Sequence, residues 1–214
     1  MPLAAIILLQ RQTIKKDEGI EYIKISSGNG KMQDIKSINT NTFTNNYCMR
    51  LCIFKGKCYS KKHLKRFPNN ASAWQLNSDK LSQSIIEYDL LPKFFNTRIM
   101  RFHSHGELIN NTHLINFMNI CNKNNDIVFT LWTKRNDLIK RYFRNHKKPK
   151  NLILIFSNSK FNKPMNKIPL YFDKTFNVIN IDSNIKANCI GKCKDCMICY
   201  TLGSKEKHII EVMK

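Results

Sequence analysis

Four strand-like runs recur along the middle of the chain with amphipathic stretches between them, and this alternation limits the fold more than any other feature. The runs are "RIMRFHSH" (98–105), "DIVFTLW" (126–132), "NLILIFS" (Asn151 to Ser157, the clearest buried strand) and "NVINID" (Asn177 to Asp182), the last strand expected. Before them, apolar residues at 81, 85, 86, 90, 91, 94 and 95 follow the capping candidates Asn77, Ser78 and Asp79, which predicts a helix interrupted near Pro92. Asn111 and Thr112 are placed to cap a helix whose stripe is Leu114, Phe117, Met118 and Cys121, and Asp137 to Phe143 reads as a shorter one. Strands separated by single helices pair in parallel through right-handed crossovers. The expected architecture is α/β, a partial or open parallel α/β barrel, with a C-terminal cysteine-rich metal-binding segment.

Three regions follow from this pattern. Residues 1–47 hold an N-terminal strand and polar loops, with the apolar run Leu3 to Leu9 read as a buried strand and 26–47 as loop or edge structure. Residues 48–185 form the α/β core with a first cysteine group, and 186–214 form the C-terminal cysteine-rich segment. The opening run is too short to span a bilayer and poorly formed as a signal peptide, so no membrane association and a cytoplasmic location are expected. Thiols stay reduced there, and grouped cysteines point to metal or redox chemistry before disulfides.

Seven of the eight cysteines fall in two groups, "CMRLCIFKGKC" with Cys48, Cys52 and Cys58, and "CIGKCKDCMIC" with Cys189, Cys193, Cys196 and Cys199. The eighth, Cys121, sits on a helix's apolar face and reads as a small buried hydrophobe. Zinc sites pair two short cysteine knuckles separated by a dozen or more residues, whereas C-x3-C-x2-C-x2-C is one crowded run like those of bacterial ferredoxins, which favours an iron–sulfur cluster and leaves Zn, ligands shared with the first group or a redox role as alternatives. The first group offers three thiolates, which would leave one iron of a 4Fe-4S cluster open. Its alternative is a Zn site completed by His63, His103 or His105. Arg50, Lys55, Lys57, Lys61 and Lys62 surround this group and are expected to lower its thiol pKa values.

Functional groups of parallel sheets collect where strands end. Here those ends read "FHSHGEL", "TKRND", "SNSK" and "DSN". His103 and His105 lie two apart and share a face on an extended segment, and Lys134 and Arg135 are candidates to hold a carboxylate or phosphate. Trp74, Trp132 and Tyr142 read as packing residues. The balance of 36 Lys+Arg against 15 Asp+Glu, a formal charge of +21, makes nucleic acid a candidate partner, although codon bias in an AT-rich genome produces Lys and Asn as well.

The blocks "CMRLCIFKGKCYS", "MRFHSHGEL", "TLWTKRNDLI", "PKNLILIFSNS" and "CIGKCKDCMICY", in this order over roughly residues 40–202, resemble the gene product 88 family of phage and prophage proteins. The chain is more distantly similar to radical S-adenosylmethionine enzymes, in which three cluster cysteines follow the first strand of a partial barrel and a Gly-Gly-Glu motif follows the second. That resemblance implies a cluster on Cys48, Cys52 and Cys58, contact with S-adenosylmethionine through Gly106 and Glu107, and an auxiliary cluster on Cys189, Cys193, Cys196 and Cys199. Lys134 joins them as a cofactor-binding candidate. Two departures stand: the first group is C-x3-C-x5-C where the enzymes have C-x3-C-x2-C, and the motif here is "HGE". Cys189, Cys193 and Cys196 do show C-x3-C-x2-C, so either group could hold a reactive cluster. Two functions are consistent with these features, an iron–sulfur protein with radical-type chemistry and a zinc-stabilised nucleic-acid-binding protein without catalysis.

Overall fold

The computed structural model describes residues 23–213, so the reading of Leu3 to Leu9 lies outside the described residues. Seven strands form one sheet in chain order: β1 (Ile25–Ser26), β2 (Lys36–Ile38), β3 (Ile99–Phe102), β4 (Val128–Thr133), β5 (Leu152–Ser157), β6 (Lys174–Ile179) and β7 (His208–Val212). The β1 strand is antiparallel to β2, and every pairing from β2 to β7 is parallel. Strands that each pair with the next in sequence wind in one direction, as in an α/β barrel, but the ends of this sheet do not meet. No described helix is long and apolar enough to cross a membrane.

Helices α1 (Tyr59–Arg66), α2 (Pro68–Gln83), α3 (Asn111–Lys123), α4 (Asn136–Phe143) and the one-turn α5 (Cys193–Cys196) complete the fold. Period-two alternation divides the sheet. Ile38, Met100, Phe102, Phe129, Leu131, Leu152 and Leu154 face α2, α3 and α4 and form the larger core with Leu81, Leu114, Phe117 and Ile139. Phe102 stacks on Phe117 with centroids 3.9 Å apart and on Phe129 at 5.0 Å. Each such ring taken from water contributes about 1.5–3 kcal/mol. Trp132, Ile153 and Ile155 face the other way and pack with Tyr200, Met197, Cys193 and Cys199 of the C-terminal segment.

Several expectations need correction. The stretch 26–47 is not merely loop or edge: Lys36–Ile38 is the first parallel strand, and Ser37, Asn39, Thr40, Thr42 and Asn45 are buried. Asn39 makes that burial possible, since its amide donates to Ser37 Oγ and its oxygen accepts from Ser104 Oγ and the His105 amide. The helix expected from 81 runs instead from Pro68 to Gln83, with proline at its first turn, and Asn77 and Ser78 lie inside it rather than capping it. Beyond Gln83 the chain is held open by Asn116, which donates to the carbonyls of Leu81 and Ser84 and accepts from the Ile86 amide. The N-cap of α3 is Asn110, one residue before the expected pair. The fourth expected strand begins earlier, at Lys174, and β7 follows it. Cys121 is fully buried at the helix-facing core, as expected.

Candidate functional site: two cysteine groups on one cleft

The chain leaves β2 through a buried polar segment that ends at Asn45. The Asn45 side chain accepts from the amides of Tyr47 at 2.9 Å and Cys48 at 3.4 Å, and donates to the Glu107 carbonyl at 2.9 Å. This ties the start of the first cysteine group to the strand end of β3. Tyr47–Leu51 then forms a π-helical turn, a geometry common at functional sites, and Cys58 stands immediately before α1. Cys48 is buried, while Cys52 and Cys58 are partly exposed. The thiol of Cys48 is pushed up rather than down: burial dominates, Glu107 and the sulfurs of Cys52 and Cys58 add to it, and Lys134 opposes. Arg50, Lys55, Lys57, Lys61 and Lys62 are not among the main causes of this rise.

At the end of β3, His103 adopts φ of 61° and Gly106 φ of 109°. A Cβ on Gly106 would lie 2.2 Å from Thr40 Oγ1 and 2.9 Å from the Thr40 carbonyl, so only glycine lets this turn pass the segment after β2. Glu107 is buried and fixed. Its Oε1 accepts from the Leu108 amide at 2.8 Å and from Thr133 Oγ1, and its Oε2 accepts from the Lys134 amide at 2.8 Å. The carboxylate thus clamps the end of β3 to that of β4. Burial raises its pKa, against the pull of Lys134 and the three hydrogen bonds. Lys134 Nζ donates to Ser157 Oγ at 2.9 Å, linking β4 to β5.

Other strand-end residues are engaged elsewhere. Arg135 pairs with Asp137 and donates to the carbonyls of Leu108 and Ile109, which makes it a structural brace. His103 and His105 do not share a face, because the positive φ at His103 breaks the extended alternation. His103 packs against His113 and Phe117, and His105 against Trp74, His63 and Tyr59. Burial holds the His105 imidazole down to about 3, with His63 and Arg101 adding to the effect.

The C-terminal segment crosses the second face of the sheet. Met197, at φ of 54°, turns the chain between α5 and a 3-10 turn at Ile198–Tyr200. All four cysteines of this group, with Met197, Tyr200 and Ile209, line one small pocket. Cys199 is pushed up to about 12, mainly by burial, with Cys193 and Cys189 adding and Arg101 and Lys174 opposing. Lys174, itself buried, donates to the carbonyls of Ile198 and Thr201. Sequence reading missed both Arg101 and Lys174, since a single cation inside a strand carries no signal.

A cleft of about 1080 Å³ joins these parts. Cys58 lines it from the first group, Cys189, Cys193 and Cys199 from the second, and Gly106, Glu107 and Lys134 from the strand ends. Among the described residues no three His, Cys, Asp or Glu side chains are arranged to hold a single metal ion. The zinc set of three cysteines with His63, His103 or His105 is not assembled: His63 contacts Asn70 Nδ2 at 2.8 Å and stacks on Trp74.

Fold and cleft define a class, an open, mostly parallel α/β protein with cysteines from two separate groups on one cavity at its strand ends. Within that class the chain belongs to the gene product 88 family, whose characteristic sequence it matches over residues 8–188. No curated protein and no solved structure matches it.

Proposed function

We propose that this is an iron–sulfur protein with radical S-adenosylmethionine-like architecture. In this reading Cys48, Cys52 and Cys58 hold a four-iron cluster with one open iron, Cys189, Cys193, Cys196 and Cys199 hold a second cluster, and Gly106, Glu107 and Lys134 receive S-adenosylmethionine in the cleft. The observation that supports it is that Cys58 of the first group and Cys189, Cys193 and Cys199 of the second line one cleft with these three residues. The four thiols of the second group line one pocket, and their C-x3-C-x2-C-x2-C spacing is the crowded kind that suits a cluster better than a tetrahedral zinc ion. Bound there, such a cluster supplies one-electron reduction of a ligand on its open iron.

The chain's own residues have definable tasks. Glu107 holds a carboxylate that cannot swing, because both oxygens are anchored, and Oε2 retains a lone pair for a ligand ammonium. Gly106 permits close approach of backbone to ligand, and Lys134 offers a cation to a ligand carboxylate at the end of β4. Iron and acid-labile sulfide are to be measured on protein purified without oxygen. About eight irons with matching sulfide are expected, falling by about half in a C48A/C52A/C58A variant, with a changed electron paramagnetic resonance spectrum of the reduced protein when S-adenosylmethionine is added. Zinc without sulfide overturns the reading.

A further inference from the structure

The cleft carries a charge imbalance that the cluster reading leaves unused. Its cations are Lys24, Lys31, Lys57, Lys62, Arg101 and Lys134, and its carboxylates are Glu107 and Glu211. Glu211 is paired with Lys31, and Glu107 is occupied by hydrogen bonds from Leu108, Thr133 and the Lys134 amide. The remaining cations have no carboxylate partner among the described residues. Arg101 is set into the floor of the cleft, its guanidinium 3.8 Å from the centre of the Trp132 ring, with Nε donating to the His103 carbonyl.

The imbalance continues onto the rim. The segment from Lys55 to Arg66, which closes the first cysteine group and forms α1, reads "KGKCYSKKHLKR" and contains no acidic residue. None of its cations enters one of the five ion pairs found among the described residues. Lys57 and Lys62 face the cleft, and Tyr59 between them is 61% exposed. The Tyr59 ring leans on His105 at 5.1 Å, and the Phe54 ring also lines the cleft. Cations that track a backbone, alternating with aromatic faces beside a recess large enough for one nucleotide, are the features that bind single strands. A duplex keeps its base faces stacked and offers none to such a recess.

We propose that the rim formed by Lys57, Tyr59 and Lys62 binds single-stranded nucleic acid and delivers one unpaired nucleotide into the cleft, its phosphate directed to Arg101. This names a partner for the cleft assigned above but needs no iron. It also separates function from codon bias, because Lys147 and Lys150, just before β5, are equally exposed but lie at the opposite end of the strands.

The test is fluorescence anisotropy with labelled oligothymidylate, oligouridylate and a blunt duplex at several salt concentrations, on the full chain, with iron and sulfide assayed in the same preparation. Expected are tighter binding of a single strand than of duplex, steep weakening with salt, at least a tenfold loss in K57E/K62E, and about a fivefold or greater loss in Y59A. K147E/K150E, with the same charge change, retains binding. The DNA and RNA arms identify the sugar recognised. Absence of single-strand binding at low salt, equal affinity for duplex, or equal loss in both lysine pairs overturns the proposal. Each of these results in iron-loaded protein refutes the partner while leaving the cluster reading intact.

Discussion

On β4, Phe129 and Leu131 turn toward the helices, whereas Trp132 turns to the other side beside Arg101 and Tyr200. The same contrast runs along the sheet. The helix side is a continuous apolar core whose aromatic rings stack on one another, and its buried polar groups, such as Asn116 and Asn124, are satisfied by backbone. The cleft side carries Arg101, Lys174, the C-terminal thiols and two buried aromatic residues with a much smaller apolar cluster. A buried polar group costs stability unless paired, and on the cleft side Thr130 Oγ1 of β4 has no hydrogen-bond partner among the described residues, as His113 Nε2 has none on the helix side. The difference teaches that the helix side supplies most of the apolar burial that stabilises the fold, whereas the other side keeps cations and thiols at a cleft.

That division breaks first under core truncation. Phe117→Ala, which removes the partner of Phe102 and His103, is expected to cost about 3–5 kcal/mol in urea unfolding. Acid acts on the boundary between the faces. Burial lowers His113 to about 3 from an ordinary 6.5, so between these values it is neutral when folded and charged when unfolded. Its contribution is complete above about pH 6.5 and is lost as pH falls toward 3, with a slope of up to about 1.4 kcal/mol per pH unit. Stability measured against pH should show that arm, and His113→Gln should reduce its slope while leaving the part due to His105, which burial also lowers to about 3.

Smaller effects sharpen the comparison at the cleft. Gly106→Ala meets Thr40 and a φ of 109°, and a loss of about 2–3 kcal/mol in thermal unfolding is expected. Asn45→Ala strands the amides of Tyr47 and Cys48 and the Glu107 carbonyl, and a loss of about 1–2 kcal/mol in thermal unfolding is expected. Lys134→Met, which loses the bond to Ser157 and the charge near Glu107 while the Lys134 amide still holds that carboxylate, should change stability by about 1 kcal/mol. A large loss there would mean that the cleft side is structural after all.

Much of the sheet was legible because apolar alternation is local. β3, β4, β5 and the helices α3 and α4 fall where the periodicity places them, within one to three residues. What failed were polar segments. Lys36–Ile38 has one core side chain, Ile38, and is a strand because Asn39 and Ser37 satisfy its surroundings at Ser104 and His105. The Asn77 region reads as a cap because asparagine favours caps, yet it is interior because Asn77 bonds the carbonyls of Lys24 and Asn39. Those partners lie dozens of residues away.

By itself the sequence determined a singly wound parallel sheet with helices between strands, two thiol groups, and membership of the gene product 88 family. Period and order are properties of neighbouring residues, and they survive without a structure. Only the tertiary structure decided that Cys58 and Cys189, separated by most of the core, face one cleft, that Glu107 is a clamp, and that Arg101 stands at the cleft floor without a carboxylate partner among the described residues. The reason is that convergence depends on where strands end in space, and the spacing of residues along a chain does not encode it.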